Sequence, residues 1–149
     1  MFMVEDNERN LLDQKLIESE LFRKYRIHSM RCNFDCIKVC GKVDPLTQVL
    51  TVMGKEIAFV YYRTGYQADH YIDAAGSDHK WEARELLECS MAIKCPSIDF
   101  QLTTFKKYQQ AFGDAKLLKE VMRQKSTDKI EHLFRGLYSL EDFETNTDT

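Results

Sequence analysis

Long apolar runs are missing from this chain: no stretch approaches the roughly 20 residues that a membrane-crossing helix needs, and the amino terminus lacks the basic start, apolar middle and small-residue cleavage site of a secretory leader. A cytoplasmic location without a membrane partner is therefore expected. Excess charge of one sign is missing too. A formal net charge of -3 gives no basic footprint for nucleic acid, and the pair Lys106-Lys107 does not supply one. Glycine is sparse, with six dispersed residues, so no cluster of backbone amides is available to cradle a triphosphate. The five cysteines are odd in number and scattered, which fits reduced thiols better than a disulfide framework. Cys32, Cys36 and Cys40 recur every four residues, but the Cys-x-x-Cys pairs and histidine spacing of zinc sites are lacking. They read as small buried hydrophobes, and no metal is expected.

What is present is an ordinary globular composition, 44% hydrophobic and 30% charged, enough for a core in a chain of this length. Met1 to Val4 reads as a strand, or as the tail of one that begins upstream. Asn10 to Phe22 places Leu, Ile and Phe at three- and four-residue intervals, which predicts an amphipathic helix capped by Asn7 or Asn10. A second strand is expected over Ile27 to Arg31, completing a βαβ unit. Gly41 to Pro45 reads as a turn. Thr47 to Val52 reads as a strand pairing through the Gly54 turn with a long apolar strand, Ile57 to Tyr62, which gives a mixed sheet.

A helix carrying Trp81, Ala83, Leu86, Leu87, Met91 and Ala92 is expected after the loop Ala74 to Asp78, with Ser77 or Asp78 as its cap and Lys94-Cys95-Pro96 as its end. Helical pattern resumes from Thr103 and breaks near Gly113. It breaks again near Ser126-Thr127-Asp128, a cap for Lys129 to Leu137, and Glu141 to Thr149 is expected to fray.

The most pointed local feature is the end of the long strand, Arg63-Thr64-Gly65-Tyr66. There a guanidinium fork, a glycine able to turn sharply and a phenol form an anion-recognition corner. The alternative is structural, with Arg63 pairing to an acid and Gly65 serving an ordinary turn. Parallel topology places ligands outside the carboxyl ends of strands, where Glu8 and Asn10 also fall, and Gln14 follows Asn10 by one helical turn. A zwitterionic amino-acid end needs a carboxylate and a guanidinium, which Glu8 and Arg63 supply, with the two amides for orientation.

At these residues the chain resembles eukaryotic glutathione synthetases. The likeness runs from Glu8-Arg9-Asn10 with Asp13-Gln14, through Glu56-Ile57-Ala58, Val60-Tyr61, Arg63 and Gly65-Tyr66. It continues through Trp81-Glu82-Ala83-Arg84, Lys94-Cys95-Pro96, Gln101-Leu102 and Lys106-Lys107 with Gln109-Gln110, to Gly136-Leu137-Tyr138-Ser139-Leu140. The resemblance implies an α/β fold, three-layer α/β/α with a mixed, mostly parallel sheet (pre-ATP-grasp, Rossmann-like), plus C-terminal helices. Residues 1–104 would be the substrate-binding domain and 105–149 a helical segment leading toward the ATP-grasp part.

It also implies an ATP-dependent ligase that joins γ-glutamylcysteine and glycine into glutathione through an acyl phosphate, with ATP and Mg2+ in the complete enzyme and a homodimeric assembly. Glu8, Arg9, Asn10, Gln14, Arg63, Thr64, Gly65 and Tyr66 would line the γ-glutamylcysteine site, and Lys106 would contact ATP. Trp81 and Arg84 read as packing and helix-anchoring residues. Three departures stand out. Thr64 replaces the family's usual aspartate in the corner, the loop around Ala74 to Asp78 is longer than usual, and Lys80 stands where asparagine is common. No glycine-rich loop and no magnesium-binding acidic pair can be matched, so the chain alone is expected to be inactive. The alternatives are a stand-alone, non-catalytic module that binds a thiol peptide in the same pocket, and a purely structural fragment.

Overall fold

The computed structural model describes residues 1–72, 76–77, 79–122 and 133. It divides into two compact units, Met1–Ser97 and Ile98–Thr149, so the first unit ends short of the expected boundary at residue 104.

The first unit is built on a four-stranded sheet in the order β2-β1-β6-β7, formed by Arg31–Cys32, Phe2–Met3, Phe59–Tyr62 and Ile93–Cys95. Every pairing is parallel, with Phe2 opposite both Arg31 and Tyr61 and with Val60 opposite Lys94. A separate antiparallel sheet holds β3 (Gly41–Val43), β4 (Leu50–Val52) and β5 (Lys55–Glu56). The expected mixed sheet is thus two sheets. The turn is where the sequence puts it, because Met53 and Gly54 both adopt positive φ, 50° and 73°, the two-residue geometry that suits hairpin twist. The strand it returns is only Lys55–Glu56. Beyond Ile57, whose N–H still bonds Leu50 O at 2.8 Å, the chain leaves the hairpin, and Phe59–Tyr62 lies between two parallel neighbours.

Helices α1 (Leu11–Tyr25), α2 (Phe34–Cys40) and α3 (His79–Glu88) connect these strands. The step from β1 to β2 and the step from β2 back past β1 to β6 run in opposite directions across the sheet. Right-handed crossovers therefore put α1 on one face and α2 with α3 on the other, and α2 does pack on α3. The result is three layers. The core is Met3, Phe34, Ile37, Leu50, Val52, Val60, Tyr62, Leu87 and their neighbours, gathered from the strands, the hairpin, α2 and α3.

Helix α1 departs from its expected packing. Its one buried residue is Gln14, while Leu12 is 77% and Leu16 64% exposed. At 3.6 residues per turn its apolar residues wind around the cylinder instead of forming one stripe, and the side turned to the sheet centres on Gln14. Three further boundaries shift. The second strand is Arg31–Cys32 instead of Ile27 to Arg31, because α1 runs on to Tyr25 and stops at Arg26, which takes the left-handed conformation with φ 56°. Gly41–Val43, expected as a turn, is β3; the turn follows it, where Asp44 Oδ1 accepts from the N–H groups of Leu46 and Thr47. Helix α3 ends at Glu88, and the expected helix end at Lys94-Cys95-Pro96 falls instead on the edge strand β7, Ile93–Cys95.

The second unit holds α4 (Ile98–Leu102), α5 (Lys106–Ala111) and α6 (Ala115–Val121). Asp114 caps α6 by accepting from Lys116 N at 2.7 Å. The break expected near Gly113 falls between α5 and α6. Ala74, Ala75, Asp78 and the segments 126–128, 129–132, 134–137 and 141–149 lie outside the described residues.

Candidate functional site

Strand order sets the location. The chain leaves β1 toward β2 on one side and receives β6 on the other, so the carboxyl ends of β1 and β6 form a topological switch point, the place where open parallel sheets bind ligands. The segment after β1 carries Glu8 and Asn10, and the segment after β6 carries Arg63 to Tyr66. The two are joined directly where Arg63 N donates to Met3 O at 2.8 Å.

Around this point Arg63 pairs with Asp13 in the first turn of α1, Nη1 to Oδ2 at 2.7 Å, and lies over the ring of Tyr61, 5.9 Å from its centroid. The hydrogen bond to the Tyr61 hydroxyl and the Asp13 carboxylate hold the guanidinium pKa above its ordinary value. Tyr66 is half-exposed and donates to Tyr62 O at 3.0 Å. Burial raises the pKa of its hydroxyl, Arg63 lowers it and Glu8 raises it again. The charges of Glu8 and Arg63 thus act in opposite senses on the Tyr66 hydroxyl. The Glu8 side chain accepts from Asn10 N at 2.7 Å and lines a cavity of about 460 Å³ whose walls include Glu5, Arg31, Cys32 and Cys36, a size that suits a small ligand.

The other expected residues are distributed as follows. Asn10 occupies the N-cap position of α1, yet its side chain makes no cap hydrogen bond and is exposed, as is Arg9. Gln14 is fully buried; its Oε1 accepts from Arg31 Nη2 at 2.5 Å, and its Nε2 has no hydrogen-bond partner. Asn10 and Gln14 thus differ sharply in exposure. Thr64 is 1% exposed and turns inward, 3.4 Å from His70 Nδ1. Gly65 has φ +80°, and a Cβ there would sit 2.5 Å from the Tyr71 hydroxyl, so both backbone conformation and space demand glycine. Lys106 opens α5 in the second unit and donates to Gln109 Oε1 at 3.0 Å.

The corner is held from beneath by residues that sequence reasoning did not assign to it. Gly65 N donates to His70 Nδ1 at 3.0 Å. Tyr71 donates to Gly65 O at 3.1 Å and accepts from Arg84 Nη1 at 2.9 Å. Arg84, almost fully buried, stacks its guanidinium 4.0 Å from the Tyr62 ring centroid and pairs with Glu88 at 2.8 Å. On its other face Tyr71 stacks on Trp81, with centroids 3.7 Å apart and planes within 8°. Asp13 was missed as well, although its place in the first turn of α1, a single turn from Asn10, is a usable signal.

Comparison with known proteins identifies the family and the fold. The family described as eukaryotic glutathione synthase matches residues 1–103. Glutathione synthetase of Dictyostelium discoideum is 36% identical over 143 residues, covering 94% of this chain and 30% of the relative. The Homo sapiens glutathione synthetase is 38% identical, covering 95% and 29%. A chloroplastic glutathione synthetase of Arabidopsis thaliana is 37% identical over 145 residues, covering 97% and 26%. The chain thus spans about three tenths of the length of the curated relatives it matches. Among solved structures, a glutathione synthetase-like effector from Globodera pallida in apo form superposes with a TM-score of 0.64 at 20% identity, covering 87% of this chain and 27% of that one. That likeness is one of fold.

Proposed function

The chain belongs to the eukaryotic glutathione synthase family, and from that membership we propose that it supplies part of the γ-glutamylcysteine site of a glutathione synthetase, the ATP-dependent ligase that joins γ-glutamylcysteine to glycine. The observation that supports the reading is that the segments after β1 and β6, which carry Glu8 and Arg63, leave the sheet side by side at its switch point, joined where Arg63 N donates to Met3 O at 2.8 Å. In this proposal Glu8 takes the ammonium group of the peptide, Arg63 takes a carboxylate, and the amides of Asn10 and Gln14 orient the backbone. Gln14 Nε2 is buried without a partner, so its amide would reach a peptide carbonyl only after a movement of the side chains that cover it. Arg9, Gly65 and Tyr66 would complete the site beside Arg63, with Thr64 contributing through its backbone, although among the proposed binding residues only Glu8 lines the cavity of about 460 Å³.

ATP and Mg2+ serve the complete enzyme in this reading, with Lys106 toward ATP. Among the described residues no three His, Cys, Asp or Glu side chains converge to hold a metal ion. By themselves these residues do not fit a magnesium-bound triphosphate. The homodimer and the cytoplasmic setting implied by the resemblance belong to the same proposal. Among the described residues, no helix is long and apolar enough to cross a membrane.

Calorimetric titration of the full chain with γ-glutamylcysteine tests the site. Binding should weaken roughly tenfold or more in Arg63→Ala, the value of a charge-assisted hydrogen bond of about 1.5–3 kcal/mol. Unchanged affinity in a variant with an unchanged melting temperature would overturn the assignment.

A further inference from the structure

Two cysteines in the cavity wall face one another. Cys32 ends β2 and Cys36 stands in the first turn of α2. Their sulfur atoms are 3.1 Å apart, and both line the cavity of about 460 Å³. A disulfide needs about 2 Å between sulfurs, so bridging requires a closing movement of about 1 Å and no rearrangement of the fold. The two thiols are unequal, since Cys32 is 4% exposed and Cys36 is partly open to the cavity. The other charged groups in that wall are Glu5, Asp6 and Glu8 beyond β1 and Arg31 beside Cys32.

We propose that Cys36 and Cys32 form a thiol–disulfide exchange site whose oxidant is a small peptide disulfide. The Cys36 thiolate attacks one sulfur of that disulfide. The peptide S–S bond breaks, one half leaves as a thiolate that takes up a proton from water, and the other half stays bonded to Cys36. Cys32 then releases its proton to water and attacks Cys36 Sγ, which expels the second half as a thiolate that is protonated in turn. In sum, two protein thiols are oxidised and one peptide disulfide is reduced to two thiols. Burial first, and the neighbouring Cys36 next, push the Cys32 thiol up to about 12. The closing step therefore quickens as pH rises. This inference does not rest on the ligase reading, and its test leaves that reading untouched.

The experiment uses the wild-type full chain, reduced, incubated with oxidised glutathione, quenched by alkylation and digested with trypsin. Cleavage after Arg31 and Lys38 isolates the segment Cys32 to Lys38, which contains these two thiols and no other cysteine. The expected product is that peptide without alkyl groups and two hydrogens lighter, formed faster at pH 8.5 than at pH 7. Cys32→Ser should stop at a glutathione adduct on Cys36, and Cys36→Ser should slow modification of this peptide by about tenfold or more. Recovery of the doubly alkylated wild-type peptide while the exposed Cys89 carries an adduct would overturn the proposal. So would equal rates in Cys36→Ser and wild type.

Discussion

On one face of the parallel sheet, α2, α3 and the hairpin enclose Ile37, Leu50, Val52, Val60 and Leu87 almost completely. On the other, α1 buries only Gln14 and is tied down by polar contacts: Arg31 to Glu18 at 2.7 Å, Arg31 to Gln14 at 2.5 Å and Arg63 to Asp13 at 2.7 Å. The first face holds by excluding water from apolar area, the second by satisfying charges and amides. All of the expected substrate-binding residues in the first unit except Thr64, Gly65 and Tyr66 lie on α1, in the loop leading into it, or paired to it. Most residues of the proposed binding site thus sit on the layer that contributes least to the core, while the corner Arg63 to Tyr66 is braced from the apolar side by Tyr71 and Arg84.

The contrast can be broken most directly by truncation. Leu87→Ala should cost about 2–5 kcal/mol in urea denaturation, whereas Leu16→Ala should stay within about 0.5 kcal/mol; similar losses would erase the distinction between the faces. Next in size, Gly65→Ala should cost up to about 3 kcal/mol, because the new Cβ combines a positive φ with the 2.5 Å approach to the Tyr71 hydroxyl. A melting temperature equal to wild type would show that the brace is slack. Arg31→Met should cost about 1–2 kcal/mol by leaving Gln14 and Glu18 without their shared donor, and chemical denaturation reads that directly.

The smallest effect concerns pH. Burial alone would raise Glu18, but hydrogen bonds from Lys15 and Arg31 outweigh it and hold the carboxyl below its ordinary value of 4.5. Its contribution is therefore full above that value and is lost as pH falls through the lowered folded pKa. Glu18→Gln should lower stability at neutral pH, where the Glu18 contribution is full, and should flatten the profile below about pH 4.5 so that variant and wild type converge in acid. A retained acid slope would assign that slope to other carboxylates.

Much of the architecture is legible in the sequence because it is written in order: strand, helix, strand, hairpin, then a strand ending in Arg63. What was hidden has physical causes. The run Ile57 to Tyr62 is uniformly apolar, so nothing in it marks where the hairpin lets go and the parallel sheet takes over. Ile93–Cys95 is three residues before a proline, too short for periodicity to reveal. The leucines of α1 carry helical spacing, yet spacing alone does not say that an amide will face the sheet. Within the site, Glu8 and the Arg63 corner follow from strand ends. Asp13, His70 and Tyr71 act through hydrogen bonds or ion pairs across loops or between elements, for which no sequence period exists.

The stacking of Tyr71 on Trp81 gives the domain an optical reporter of its own. Trp81 is the sole indole in the chain, and it rests against the ring whose hydroxyl grips Gly65. Its emission is therefore a label-free readout of the packing beneath Gly65, and a guest at the site proposed beside Arg63 should announce itself in ultraviolet light.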